Sequence, residues 1–446
     1  MTEPGRPKMY EPYEGDLKSL LGGEEALTFL VGAGISMEPP AGLMSAGQMM
    51  EAIIRYSAVE AAVPQLLAIP ELRFEYLIEA FRDRYDEDLQ VLNYLEEATQ
   101  PNVIHQFLAQ MVQRGHFVMT TNFDTLIERA VGLEQKNLRI VITQTDFEQY
   151  ADPKANWEKG LWAVYKLHGS LTNVQTGENT HSSVIATLDA LGKHKEGELG
   201  VETFKKPLFK RVGQGRTLVV MGYSGGDDLD IIPTLLQMSG LRRVVWLSHT
   251  LHSNTTDSGP GYQVFRYTGT KSAVPPQLSP EDQLLSRMHQ ISGVEVIKVV
   301  GHTATILAAL QGRVYQPSPS SERHDLAVWL VEHFTPASED SKIIFAINIF
   351  YRYNRYPDAL KYCAQAHTLS TQHDDLHGQA VALNYMGLVY RLTSEPQKAL
   401  EHFQKSYEIH EHLGNWAGMA AQLGNMGLIY ANTGEPQKAL EHHQKR

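Results

Sequence analysis

Four short stretches hold the side chains that could do chemistry. Leu27 to Ser36 reads LTFLVGAGIS, an apolar run broken by Gly32-Ala33-Gly34. A strand ending in GxG turns tightly and leaves no side chain between its N–H groups and a bound pyrophosphate. Thr120 to Asp124 reads TTNFD, and the side chains of Asn122 and Asp124, two positions apart, point the same way if the chain stays extended. Either residue would equally serve as an ordinary helix cap. In KLHGS, Lys166 to Ser170, His168 ends a strand and Gly169 leaves its imidazole uncrowded; among nineteen histidines, a structural role stays open. VMGYSGGD, Val220 to Asp227, places Gly222 and Ser224 just beyond another apolar run.

The glycine turn alone is a weak signal. Met37 stands where the third glycine of a dinucleotide fingerprint would be, and no helical period follows until about Gly47. The chain has no GxxxxGK, which argues against an NTPase. Asp227 and Asp230, in GYSGGDDLD, read as an acidic helix N-terminus stabilised by the helix dipole and are left off the catalytic list.

The elements that must position these residues are short β-branched runs separated by helical stretches, at Leu27, Phe117–Met119, Leu138–Thr143, Ala163–Leu167, Thr217–Gly222, Arg243–Leu247 and Val294–Val300. Such runs form a parallel sheet covered on both faces, and ligands bind beyond the carboxyl ends of its strands, where all four stretches fall. Ser45 to Gln113 is helical throughout by its apolar spacing, an insertion placed to cover a site. Residues 1–24 read as a polar arm, 25–314 as the α/β domain and 315–340 as a linker around the helix-like LAVWLVEHF.

From 341 to 446 the chain repeats. EPQKALEH begins at Glu395 and again at Glu435, and MGLVY at Met386 answers MGLIY at Met426, both 40 positions apart. Pro357, Pro396 and Pro436 open the second helix of each unit. Gly387, Tyr390, Ala399 and Phe403 are placed as in the tetratricopeptide repeat, which this region resembles: small residues let paired helices approach and aromatics fill the gaps. The chain stops at Arg446 partway through a second helix, where solenoids end on a polar capping helix, so a longer natural chain is expected. The fold expected overall is a Rossmann-like α/β parallel sheet with a helical insertion, followed by an all-α tetratricopeptide-repeat solenoid.

Composition narrows the function. A formal charge of -12 over 446 residues argues against neutralising nucleic-acid phosphates or lying on an anionic membrane. The single cysteine, Cys363, excludes an intramolecular disulfide and a Cys-rich zinc module, and favours a reducing compartment. With no signal-peptide core and no membrane span, a cytoplasmic protein is expected.

Taken in order, the motifs resemble the SIR2 (sirtuin-like) family over roughly Leu27 to Leu310. GAGIS is similar to that family's phosphate-binding opening, which implies that Gly32, Ala33, Gly34 and Ser36 carry the pyrophosphate. TNFD matches its Asn-x-Asp, which implies that Asn122 orients the attacking water or a ribose hydroxyl and that Asp124 holds the nicotinamide carboxamide. LHGS matches the catalytic-histidine motif. Gly222 and Ser224 match a Gly-x-Ser that contacts ribose and phosphates, and VVGHTATILAAL resembles the last strand and helix, whose turn, with His302, lies near adenine. Pro101 to His105 also has a counterpart, and His105, on an apolar helix face, reads as structural.

In NAD the nicotinamide is a cationic leaving group, so cleavage of its ribosyl bond needs an oriented water and a proton acceptor more than a strong nucleophile. An amide can orient the water, and an imidazole with a pKa near ~6.5 can take the proton. The four-cysteine zinc module of protein-deacylating relatives is ruled out here, and their Pro-Asp-Phe-Arg segment is replaced by Pro-Pro-Ala-Gly-Leu-Met-Ser. The expected activity is therefore NAD+ hydrolysis to nicotinamide and ADP-ribose, without a metal, by Asn122 and His168. Bacterial SIR2 proteins of similar layout deplete NAD during phage defence, and the repeats are expected to bind a protein trigger or further copies of the chain. Protein deacylation or ADP-ribosyl transfer is the second reading, and an NAD- or ADP-ribose-sensing scaffold the third.

Overall fold

A computed structural model of the chain describes residues 9–22, 25–188, 190, 200–225, 230–250, 261–269, 278–317 and 324–445. Its packing separates into two units, Met1–Ala46 with Gln90–Asp325 and Gly47–Leu89 with Leu326–Arg446. The α/β domain expected over 25–314 is thus discontinuous. Helical periodicity identified the insertion as helix but carried no information on what its apolar faces would meet. Helices Ala46–Ser57, Val63–Leu67 and Phe74–Tyr85 group with the repeats apart from Ala46 itself, while helix Val103–Gln113 stays with the sheet.

The first unit holds a nine-stranded sheet. Its strands are β1 (Tyr10–Pro12), β2 (Leu27–Val31), β3 (Phe117–Thr120), β4 (Leu138–Val141), β5 (Trp162–Lys166), β6 (Thr217–Met221), β7 (Arg243–His249), β8 (Tyr262–Tyr267) and β9 (Glu295–Gly301). They lie in the order β1-β8-β9-β7-β6-β2-β3-β5-β4. From β9 to β4 every pairing is parallel. The chain leaves β2 toward β3, β4 and β5 on one side and returns to β6 on the other, so the strand order reverses at β2 and β6. In open α/β sheets that reversal is where a crevice forms for ligands.

Strand residues alternate between two cores. Phe29 and Val31 pack with Phe107, Val118 and Leu307 on one face, and Leu30 packs with Met119, Phe147 and Leu208 on the other. Every residue of β2 and β6 is buried, which is why these runs read as continuously apolar. Two strands of this sheet escape sequence reading. Within the expected polar arm, β1 pairs antiparallel with β8, which pairs antiparallel with β9. A three-residue strand ending in proline shows no period, and proline is tolerated there because β1 is an edge. Tyr10 fixes it, with its ring edge-on to Tyr267 at 5.4 Å and its hydroxyl donating to Asp282 Oδ1 at 2.6 Å.

In the second unit, helix Leu326–His333, inside the expected linker, buries Leu326, Trp329 and Leu330. Three helix pairs follow, Glu339–Arg352 with Tyr356–Gln372, Leu376–Leu392 with Pro396–His412, and Trp416–Asn432 with Pro436–Lys445. Gly387 is needed because a Cβ there would lie 2.6 Å from the Phe403 ring. Asn354, Ser394 and Gly434, 40 positions apart, all take the left-handed conformation between the helices of a pair, and Asp374 and Gly414 do so between pairs. The insertion helices join this unit through aromatics: Phe81 packs edge-on to Phe334 at 5.4 Å, and the Tyr76 hydroxyl donates to Asn348 Oδ1 at 2.5 Å.

Candidate active site

The carboxyl ends of β2 and β6 interlock through glycines. Gly32 N–H donates to the Met221 carbonyl at 3.1 Å and Gly34 N–H to the Gly222 carbonyl at 2.9 Å. A Cβ on Gly34 would stand 2.8 Å from Gly222 Cα, and Gly222, at φ +64, would bring one to 2.6 Å from Ile35 N. The expectation that Gly32 and Gly34 present their N–H groups to a pyrophosphate therefore meets a different use. These glycines let two strand ends approach closely. Ala33 to Ser36 continues as a single 3-10 turn.

Beneath that turn lies a buried polar network. Ser36 Oγ donates to Asp124 Oδ2 at 2.8 Å and lies 3.2 Å from His105 Nε2. Asn122 Nδ2 donates to Asp124 Oδ2 at 3.1 Å and to Ser36 Oγ at 3.3 Å. His105 Nδ1 accepts from the Asn102 backbone N–H, which puts the ring proton on Nε2, facing Ser36. Burial holds His105 down at about 4, so the ring is neutral at neutral pH. Asn102 caps its helix through Oδ1 and donates through Nδ2 to the Ile35 and Glu38 carbonyls, pinning the turn. The Ser36 hydroxyl, expected on the pyrophosphate, is instead spent inside the protein. The sequence hint for this network was Asn102-x-x-His105, the spacing of a capping box.

Asp124, one residue before the Thr125 N-cap, also accepts from Leu126 N–H at 3.1 Å, so it serves the helix end as well as the network. Its carbonyl accepts from the buried Lys166 ammonium, which pairs with buried Glu128 at 3.1 Å. Two acceptors here are left over, Glu128 Oε2 beside the lysine and one oxygen within the network itself. Asn122 is 6 % exposed, its Nδ2 is committed twice, and its Oδ1 is buried with no hydrogen-bond partner. A buried acceptor without a partner costs about 1–3 kcal/mol, and functional sites are where such costs are tolerated.

His168 follows the strand next to that of Asn122. Register pairs Thr120 with Lys166, so both residues lie two positions beyond one register pair, on the same sheet edge. The Phe123 and His168 rings are 6.4 Å apart. Gly169 is at φ +81, and a Cβ there would strike the Ser183 carbonyl. His168 Nε2 faces Asp230 Oδ1 at 3.3 Å. Asp230 is buried and caps helix Ile231–Gln237 through the same oxygen. It is therefore both the helix-end residue expected and the partner of His168, a pairing across 62 residues that spacing could not reveal. Asp227 lies outside the described residues. Ser224 is exposed two residues past Gly222. His302, at the end of β9, caps helix Thr303–Leu310, and its Nε2 lies 2.9 Å from Glu38 Oε1.

A largely parallel sheet whose polar cluster lies at the strand-order reversal defines an α/β protein with that cluster at its carboxyl edge. Residues 116–247 match the family model of the SIR2-like domain, and residues 348–412 and 378–446 match that of the tetratricopeptide repeat. The chain carries a SIR2-like domain fused to C-terminal tetratricopeptide repeats, which ties the α/β unit to the NAD chemistry of the SIR2 family. The first match includes Asn122, Asp124, His168, Gly222 and Ser224, and leaves Gly32 to Ser36 and His302 to rest on geometry. No curated protein matches the chain. Among the described residues, no helix is long and apolar enough to cross a membrane.

Proposed function

We propose that the α/β unit is an NAD+ glycohydrolase, and the observation that carries this reading is the unpartnered Asn122 Oδ1. With Nδ2 held by Ser36 and Asp124, the amide is fixed with its acceptor left for a ligand. A water or ribose O–H is the donor that would satisfy it. In the step proposed, a water oxygen bonds to the anomeric carbon and the bond to nicotinamide breaks. That electron pair neutralises the pyridinium, and the water's proton passes to His168. With Nε2–H donating to Asp230, Nδ1 is the basic nitrogen, and the buried carboxylate stabilises the imidazolium formed. Asp124 would hold the carboxamide of the leaving group, while Gly222, Ser224 and His302 extend the contacts along the strand ends. Gly32, Ala33, Gly34 and Ser36 act in this scheme by shaping the turn.

The repeats would restrain the enzyme until a protein trigger binds, since uncontrolled loss of NAD harms the host, and the phage-defence setting implied by the resemblance belongs to the same reading. So do a cytoplasmic location and self-association. Cys363 fits a reducing compartment, because it is buried and burial pushes its thiol up, keeping it protonated and inert.

The test follows nicotinamide and ADP-ribose by chromatography after incubation with NAD+. Asn122→Ala and His168→Ala should each lower release on the order of 100-fold without a matching loss of stability. Release unchanged in both variants refutes the site. An active wild type that yields neither product, but acylated-peptide turnover instead, moves the assignment to deacylation.

A further inference from the structure

Three side chains outside the hydrolytic pair meet at the β9 side of the same sheet edge. Glu38 comes from the segment after the glycine turn, His249 ends β7 and His302 follows β9. One donor atom from each lies within 4.8 Å of the other two. Register places His249 beside Gly301, so the two imidazoles arise from neighbouring strand ends, with ring centroids 5.0 Å apart.

What distinguishes this cluster from an ordinary surface ion pair is how the far side of each group is held. The Tyr315 hydroxyl donates to Glu38 Oε2 at 2.7 Å, leaving Oε1 toward His302. Thr305 Oγ1 lies 3.0 Å from His302 Nδ1, and Thr303 Oγ1 lies 3.2 Å from His249 Nδ1. A hydroxyl can accept from an N–H as readily as it donates to a bare nitrogen. Backbone N–H groups also donate to these atoms, that of Thr305 to His302 Nδ1 at 3.3 Å and that of Thr303 to His249 Nδ1 at 3.4 Å, so each ring rests with its proton on Nε2. An ion at Nε2 would move that proton to Nδ1, where the threonine hydroxyl accepts it at the cost of the longer backbone contact. Anchoring of a ligand's remote atom by a neighbouring group is the usual support of metal-binding histidines.

The separation of the first pair also fits. Glu38 Oε1 and His302 Nε2 are 2.9 Å apart, a few tenths of an ångström less than the roughly 3.3 Å edge of a tetrahedron with ~2.0–2.1 Å bonds. An ion entering here would replace the proton these two groups share. Two imidazoles with one carboxylate suit zinc or a neighbouring first-row ion, whereas magnesium and calcium prefer all-oxygen sites. His249 is exposed, which leaves a side for water or an anionic ligand to complete the shell.

We propose that Glu38, His249 and His302 bind one divalent transition-metal ion of zinc's class, tying the segment after β2 to the ends of β7 and β9. Glu38 is two residues from Ser36, so the ion would brace the turn over the buried network.

The test uses the full chain, stripped with a chelator and dialysed against zinc. Bound metal is counted by mass spectrometry, and cobalt(II) substitution gives a visible spectrum. The wild type should retain one ion more than the His249→Ala/His302→Ala variant and show d–d bands of nitrogen and oxygen ligation. Glu38→Gln should weaken binding at least tenfold. Histidines of the repeat unit are untouched by these changes, so their weaker sites cancel in the comparison. Equal metal in wild type and double variant, or a cobalt spectrum unchanged between them, overturns the assignment. Neither readout involves NAD turnover, so failure here and failure of the hydrolase reading are separate results.

Discussion

The two units bury different things. At its carboxyl edge the α/β unit buries a connected polar set, Ser36, His105, Asn122 and Asp124, with the Lys166–Glu128 pair alongside. The repeat unit buries small residues against aromatics, Gly387 against Phe403 with Ala399 in the same cluster, and Ala359, Ala399 and Ala439 recur buried 40 positions apart. Hydrocarbon packing is non-directional and proportional to area, so its loss is felt as stability. A polar network buried around an unpartnered acceptor gains little net stability and fixes where groups point. Substitutions in the first unit should therefore change chemistry more than folding, and in the second the reverse.

The hardest test of that contrast is Phe403→Ala. It removes a fully buried ring at the Gly387 contact and should destabilise the repeat unit by about 3–5 kcal/mol. In calorimetry the transition belonging to the repeats should fall while that of the α/β unit holds. A common shift of both would show that the two melt as one and would break the comparison.

Acid should act on the other side. His105, at about 4 when folded, stays neutral while the unfolded chain takes up its proton below ~6.5. Stability from this group is full above that value and falls away as the pH drops toward the folded value, by about 2 kcal/mol at pH 5. Chemical denaturation at pH 7 and pH 5 should show the loss in the α/β unit, and His105→Gln should remove only part of it, because burial also holds His116 down at about 4. An identical pH dependence in that variant would remove His105 as the cause.

The smallest effect sharpens the repeat side. Ser394 pays the left-handed strain that Gly434 avoids 40 residues on, so Ser394→Gly should raise repeat stability by about 1 kcal/mol. A lower melting temperature would mean that Ser394 does something its conformation does not show.

The same contrast explains what could be read from sequence. The repeats announced themselves because each residue type recurs at its phase, and Pro396 and Pro436 begin helices as expected. The inner strands were legible because burial on both faces leaves nothing polar in Thr217–Met221 beyond its first residue. Asn122, Asp124 and His168 were visible as strand-end motifs. Their partners were not: Ser36 meets Asp124 across 88 residues and His168 meets Asp230 across 62, and one sequence carries no mark of such pairings. GxG was read as a phosphate cradle because only a fold can show that Gly222 is the backbone it must clear. Likewise, the period of Phe74–Tyr85 declared a helix without declaring that its aromatics would pack beside Phe334 and Tyr353.

The most direct test is a crystal structure of the full chain with NAD+, or with ADP-ribose and nicotinamide, bound. The account predicts the ribosyl carbon at the edge of β3 and β5, with Asn122 Oδ1 accepting from a water or ribose hydroxyl and His168 within reach of the same water. A dinucleotide bound with Asn122 Oδ1 still buried and unpartnered, or with the ribosyl carbon remote from both side chains, contradicts it.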